Sequence, residues 1–211
     1  METYKTINIG KIKTSKFELI DLTKSWIILS LAFALAYGGI NLINGNLNQI
    51  LSLNFLKLFL FALITAGIGF VFHELGHKLV AQHYGCVAEY RAFDTMLYLA
   101  LGLAAAIGFI FAAPGAVMIS GRITLTENGK ISLAGPLINF GLALIFFGLH
   151  FILPALIVGF HINSWLGLFN LIPFGNFDGK KILDWHRYIW LSMVIFGILL
   201  LFGLPELINY F

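Results

Sequence analysis

The sequence predicts an all-α polytopic membrane protein of about five to six transmembrane helices, with one re-entrant segment and a short β-hairpin after the HELGH helix. Composition is the first reason. Of 211 residues, 59% are hydrophobic and only 11% charged, and the mean hydropathy is +0.91; globular chains run near 45–50% apolar and about 25% charged. Twenty-one Phe against 10 acidic residues exceed what a core of this size can hide, because such a chain buries only about 70% of its unfolded surface. The second reason is a series of apolar runs of roughly 17–25 residues, the length that crosses a hydrocarbon core. The third is charge placement: a net charge of +3 is carried in blocks beside those runs, which reads as topology and not as a nucleic-acid footprint.

The candidate membrane segments are Trp26–Ile43, Phe55–Tyr84, Met96–Ala113, Leu133–Leu153, Leu156–Ile172 and Ile189–Gly203. Lys5, Lys11, Lys13, Lys16 and Lys24 precede the first, so the N-terminus is expected on the cytoplasmic side. That basic lead-in is too long for a signal peptide, and the run is kept as a span. The second segment then returns and ends near Lys78 and Arg91, and Lys180, Lys181 and Arg187 mark a later cytoplasmic stretch. Three apolar segments lie between, and an odd number of crossings cannot start and end on one side. Met96–Ala113, rich in Gly and Ala and running into Pro114-Gly115, is the segment expected to re-enter; such backbone is tolerated at membrane depth only under protein or beside water. Gly121–Lys130 has β-branched residues flanking an Asn-Gly pair, the composition of a hairpin. Residues 1–211 read as a single membrane-embedded domain with a core at about 55–185, without a PDZ or other soluble domain. The single cysteine, Cys86, excludes an internal disulfide and a cysteine-based zinc cluster.

The chemistry begins at His73-Glu74-Leu75-Gly76-His77. On a helix, residues i and i+4 share a face, so two imidazoles can bind one zinc while the intervening Glu reaches its water. Three ionisable residues within an apolar run are costly in lipid and mark function by default. A zinc site open to water needs a third protein ligand, and three residues compete. His83 has the metzincin spacing, but Val80 stands where that pattern needs a Gly, and on a continuing helix His83 lies about 240° round from His77. Glu89 follows the expected helix end at Gly85 and reads equally well as a solvated charge. Asp178 lies in NLIPFGNFDG, where Pro173, Gly175 and Gly179 break the helix and let the chain present a side chain to a buried site.

With HELGH at 73–77, AGPLIN at 134–139 and the NxxPxxxxDG pattern at 170–179, the sequence resembles the site-2 protease family of intramembrane zinc metalloproteases. The resemblance implies that His73, His77 and Asp178 ligate Zn2+, that Glu74 activates water, and that the substrate is a transmembrane segment of another protein. It maps the family's middle-motif Asn to Asn139, a candidate for holding substrate or its oxyanion, with a hydrogen bond joining helices as the equal alternative. Asn170 is the other candidate of that kind. Gly175 and Asn176 before the Asp-Gly pair, and Lys180 after it, depart from the family pattern.

The function expected is therefore that of an intramembrane zinc metalloendopeptidase acting in regulated intramembrane proteolysis, in a prokaryotic cell membrane, with lipid and a transmembrane protein as its partners and no nucleic acid. Two alternatives remain: a divalent-metal membrane transporter, since buried ionisable residues also mark ion pathways, and an inactive relative that binds clients without cutting them. Ala116–Thr126 reads as a strand or hairpin, and residues around Gly115 to Ile123 are expected to pair with unwound substrate, with a cytoplasmic loop merely covering the site as the equal alternative.

Overall fold

In the computed structural model, residues 6–10, 12–110 and 114–204 are described; among them eight α-helices carry most of the chain and the strands pair two by two. The chain divides into two units, Met1–Val71 with Ala88–Met118, and Phe72–Val87 with Ile119–Phe211.

In the first unit, β1 (Thr6–Ile9) and β2 (Ile12–Ser15) pair antiparallel, Ile9 opposite Ile12. Gly10, directly after β1, has φ 60°, a backbone region open to Gly at no steric cost. This hairpin lies in the segment expected to be only a basic lead-in. Ser15 then caps α1 (Lys16–Tyr37), accepting the Glu18 N–H at 3.2 Å. Glu18 is fully buried and takes two donors, the Thr14 hydroxyl at 2.6 Å and the Tyr90 N–H at 2.9 Å. One turn on, Asp21 accepts the Ala92 N–H at 3.3 Å. Carboxylates at i and i+3 of one helix thus meet alternate N–H groups of β3 (Val87–Ala92), in place of a neighbouring strand. The Tyr90 and Ser25 hydroxyls share a hydrogen bond at 2.9 Å.

α2 (Leu53–Ala62) starts at a Ser52 cap and runs through a π-helical turn, Leu63–Gly67, into α3 (Ile68–His83). The Leu63 carbonyl in that turn accepts the Trp26 indole N–H at 2.9 Å. Gly67 is required there, since a Cβ would come 2.5 Å from Trp26 Nε1. α4 (Asp94–Ile107) packs on α1, held by Lys24, which pairs with Asp94 at 2.5 Å and Asp21 at 3.2 Å. β4 (Gly115–Ser120) pairs with β3.

The second unit holds α5 (Leu125–His150), α6 (Ile157–Asn170), α7 (Asp178–Trp185) and α8 (Arg187–Ile198), with a core of Phe140, Phe146, Phe160, Leu171, Ile182 and Met193. Its small residues admit large ones: a Cβ on Gly159 would fall 2.7 Å from the Phe146 ring, and one on Gly197 2.7 Å from Phe140.

Among the described residues, three helices are long and apolar enough to cross a membrane: Lys16–Tyr37, Leu53–His83 and Leu125–His150, of 22, 31 and 26 residues. At 1.5 Å per residue each exceeds the hydrocarbon thickness of about 30 Å. Asp94–Ile107 and Arg187–Gly203 are shorter apolar helices, and α6 has 14 residues. Residues 111–113, at the end of the segment expected to re-enter, lie outside the described residues.

Two expectations need correction. The Asn128-Gly129 pair is not a hairpin turn but part of the second helical turn of α5. Thr124 accepts the Glu127 N–H at 3.2 Å while Glu127 accepts the Thr124 N–H at 2.7 Å, a capping box that starts a helix where the Asn-Gly composition suggested a reversal. Gly129 is used for proximity, its missing Cβ leaving room for Trp185. A strand pair does follow α3, but its strands are β3 and β4 with the whole of α4 between them, and it is not the hairpin expected at 121–130.

Candidate metal centre

His73 and His77 are one turn apart on α3, buried, with Nε2 atoms 3.0 Å from each other. Asp178 is the first residue of α7. Its Oδ2 lies 3.3 Å from His73 Nε2 and 3.1 Å from His77 Nε2. The preceding loop delivers it: Gly175 turns the chain at φ 59°, and Gly179 lies so close to the Leu171 backbone that any Cβ would collide with it.

Each imidazole is held by its other nitrogen. His77 Nδ1 faces the Ile131 carbonyl at 2.7 Å, and His73 Nδ1 faces Asn139 Oδ1 at 2.6 Å. A backbone carbonyl only accepts, so His77 carries its proton on Nδ1 and turns a lone pair toward the cluster. Two Nε2 lone pairs and a carboxylate oxygen then converge, and unscreened they repel; a cation among them resolves this. The separations agree. A tetrahedron with ligands at about 2.0–2.1 Å has edges of about 3.3–3.4 Å, and the three atoms stand 3.0–3.3 Å apart. The cluster of His73, His77 and Asp178 is able to hold a metal ion, and three ligands leave a fourth position open.

The AGPLIN motif makes room for this centre. A Cβ on Gly135 would lie 2.5 Å from His77 Nε2 and 2.6 Å from His73 Nε2, so only Gly admits the approach of α5. Pro136 removes an N–H from the same turn, close to the Ile131 carbonyl that His77 uses.

Glu74 is buried beside His73 on α3. Asn139 is fully buried on α5 and donates through Nδ2 to Asn163 Oδ1 at 3.2 Å. Asn170, half-buried at the end of α6, donates to the Leu166 carbonyl at 3.0 Å. Lys181 stands 3.9 Å from Asp178 Oδ1. The competing ligand candidates are outside the cluster: His83 is exposed at the end of α3, and Glu89 pairs with Arg91 at 2.5 Å. Asn163 and the Ile131 carbonyl were not singled out from sequence. A carboxamide in an apolar run was the available signal for Asn163; a backbone carbonyl leaves none.

Two histidines of an HExxH helix and an aspartate at the start of a second helix, buried together in an apolar, mainly helical chain, define a protein able to hold a metal ion. No protein-family model matches the sequence, and no solved structure matches it. The chain is 41% identical over 184 residues to the "Putative zinc metalloprotease MJ0611" of Methanocaldococcus jannaschii, a match spanning 83% of this chain and 88% of that protein. The chain belongs to that zinc metalloprotease family.

Proposed function

We propose that this protein is an intramembrane zinc endopeptidase of the site-2 protease kind, hydrolysing peptide bonds in or near transmembrane segments of other membrane proteins. The observation that carries the reading is the convergence of two imidazole nitrogens and a carboxylate oxygen at 3.0–3.3 Å, next to Glu74, inside an apolar helical chain. His73, His77 and Asp178 are the metal ligands in this proposal. Zinc held there supplies Lewis acidity, polarising a peptide carbonyl and lowering the pKa of water toward about 7. Glu74 accepts the proton of the attacking water and passes it to the leaving amine. The carbonyl carbon gains the hydroxyl, the C–N bond breaks, and the products are a carboxylate and an amine. Asn170 is a candidate to hold the substrate near the ligating aspartate.

The remaining parts of the proposal concern the membrane. Five spans with the N-terminus cytoplasmic, and α4 re-entering, account for the lysine blocks and for the length of α4, whose 14 residues reach only about 21 Å. A prokaryotic cell membrane is the location in this proposal. The substrate must unwind before its carbonyls are free, and β4 has an edge not taken by β3 on which an extended segment can add as a strand.

The direct test reconstitutes the full chain in vesicles with a panel of single-span membrane proteins and reads the products by mass spectrometry. Cuts inside the spans, absent with Glu74→Gln, are expected; cuts confined to water-exposed loops contradict the intramembrane reading. Pro placed in turn at positions Ala116, Val117, Met118 and Ile119 removes individual β4 donors, and unchanged cleavage across the series contradicts strand addition.

A further inference from the structure

We propose that Asn163, acting through Asn139, is a positioning residue that fixes the tautomer of His73 and thereby aims its Nε2 lone pair into the metal centre. The proposal deepens the zinc reading above and rests on it for its consequence, though not for its geometry. The chain of contacts has a definite polarity. Asn163 Nδ2 donates to the Gly159 carbonyl at 2.9 Å. Asn163 Oδ1 accepts from Asn139 Nδ2 at 3.2 Å, and Asn139 Oδ1 meets His73 Nδ1 at 2.6 Å. Both amides are fully buried, so a wrong orientation leaves desolvated polar groups facing like partners.

A carboxamide fits its site either way round, oxygen and nitrogen exchanged. Here the choice is made by the backbone. The Gly159 carbonyl only accepts, so Asn163 turns its NH2 toward it and its oxygen toward Asn139; Asn139 then turns NH2 toward Asn163 and oxygen toward His73. An oxygen beside Nδ1 demands the Nδ1–H tautomer. Reversal of Asn139 places an NH2 against Nδ1, drives the proton to Nε2, and converts the 3.0 Å Nε2–Nε2 approach into a His73-to-His77 hydrogen bond that closes the centre to metal. The relay therefore excludes a metal-incompetent state. His77 needs no relay, since the Ile131 carbonyl acts on it directly.

The relay predicts a specific non-additivity. Asp at position 139 accepts with either oxygen and presents an acceptor to His73 whichever way it turns, so in the Asn139→Asp background, whatever its own zinc affinity, loss of Asn163 should no longer weaken binding. In the full chain in detergent, zinc affinity by chelator competition should fall about 10–100-fold in Asn163→Leu and stay within about twofold when Asn163→Leu is added to Asn139→Asp. Equal losses in both backgrounds overturn the proposal, because a packing role for Asn163 persists whatever stands at 139. Asn163→Ala run through the same cycle guards against misfolding of the Leu variant. Histidine 15N shifts in the zinc-stripped chain provide a readout independent of the metal: wild-type His73 should carry its proton on Nδ1, and Asn163→Leu should show a tautomer mixture. An unchanged His73 signal overturns the proposal even if zinc affinity falls. A wild type that binds no zinc refutes the zinc reading, while the 15N comparison still decides the relay.

Discussion

His73 and His77 come from one stretch of regular helix, whereas Asp178 opens a second helix, α7, delivered by an irregular loop about a hundred residues later. The first two are brought together by α-helical periodicity alone: i and i+4 face the same way whatever surrounds them. Asp178 reaches them only because Gly175 turns the chain, Gly179 lies against the Leu171 backbone, and Gly135 lets α5 approach the imidazoles. One half of the centre is local and robust; the other half depends on close backbone approaches that a single methyl group disrupts.

The largest effect that sharpens this contrast is on chemistry without disturbing either half. Glu74→Gln keeps shape and hydrogen-bonding capacity but cannot accept the water proton, so turnover in vesicles should fall about 10²–10⁴-fold with zinc content unchanged, measured by metal analysis alongside cleavage. A comparable loss of zinc means that Glu74 supports the ligands instead.

Next is Gly135→Ala against Gly141→Ala, two changes in the same helix. A Cβ at 135 would meet both imidazoles at 2.5–2.6 Å, while one at 141 meets nothing within 4 Å. Gly135→Ala should cost about 1–3 kcal/mol through overpacking and weaken zinc binding; Gly141→Ala should be neutral or stabilising by up to about 1 kcal/mol. Thermal unfolding in detergent with and without added zinc separates them. Equal behaviour of the two variants shows that α5 does not need its close approach.

How much was legible in the sequence follows the same division. HELGH was readable because its information is local. The third ligand was not readable from spacing: His83 and Glu89 competed with Asp178, which the helix breaks at Pro173, Gly175 and Gly179 and then the family resemblance favoured. The three-dimensional arrangement brings Asp178 to the histidines and leaves His83 exposed. The segment at 121–130 was misread because two local signals overlap there. Asn128-Gly129 favours a reversal and Thr124 with Glu127 a helix start, and the capping box prevails by satisfying two orphan N–H groups together with the packing of α5. The Glu18 and Asp21 contacts to β3 were invisible, since they join residues about 70 positions apart.

Smaller effects test those corrected parts. Thr124→Ala removes the cap hydroxyl and should cost about 1 kcal/mol, read as faster amide exchange confined to the first turns of α5; exchange unchanged there means the cap is not what starts the helix. Smallest of all, His83→Ala should leave zinc content and cleavage as in wild type.

The central claim is that one helix and the start of a distant second helix build one metal centre, and the most direct measurement is zinc per chain in purified protein for wild type, Asp178→Ala and His83→Ala. Wild type and His83→Ala should each hold about one zinc, with Asp178→Ala losing it, as a three-ligand site requires. Zinc retained by Asp178→Ala and lost by His83→Ala would contradict the account, placing the metal wholly on the α3 side of the comparison and leaving the loop before α7 as packing.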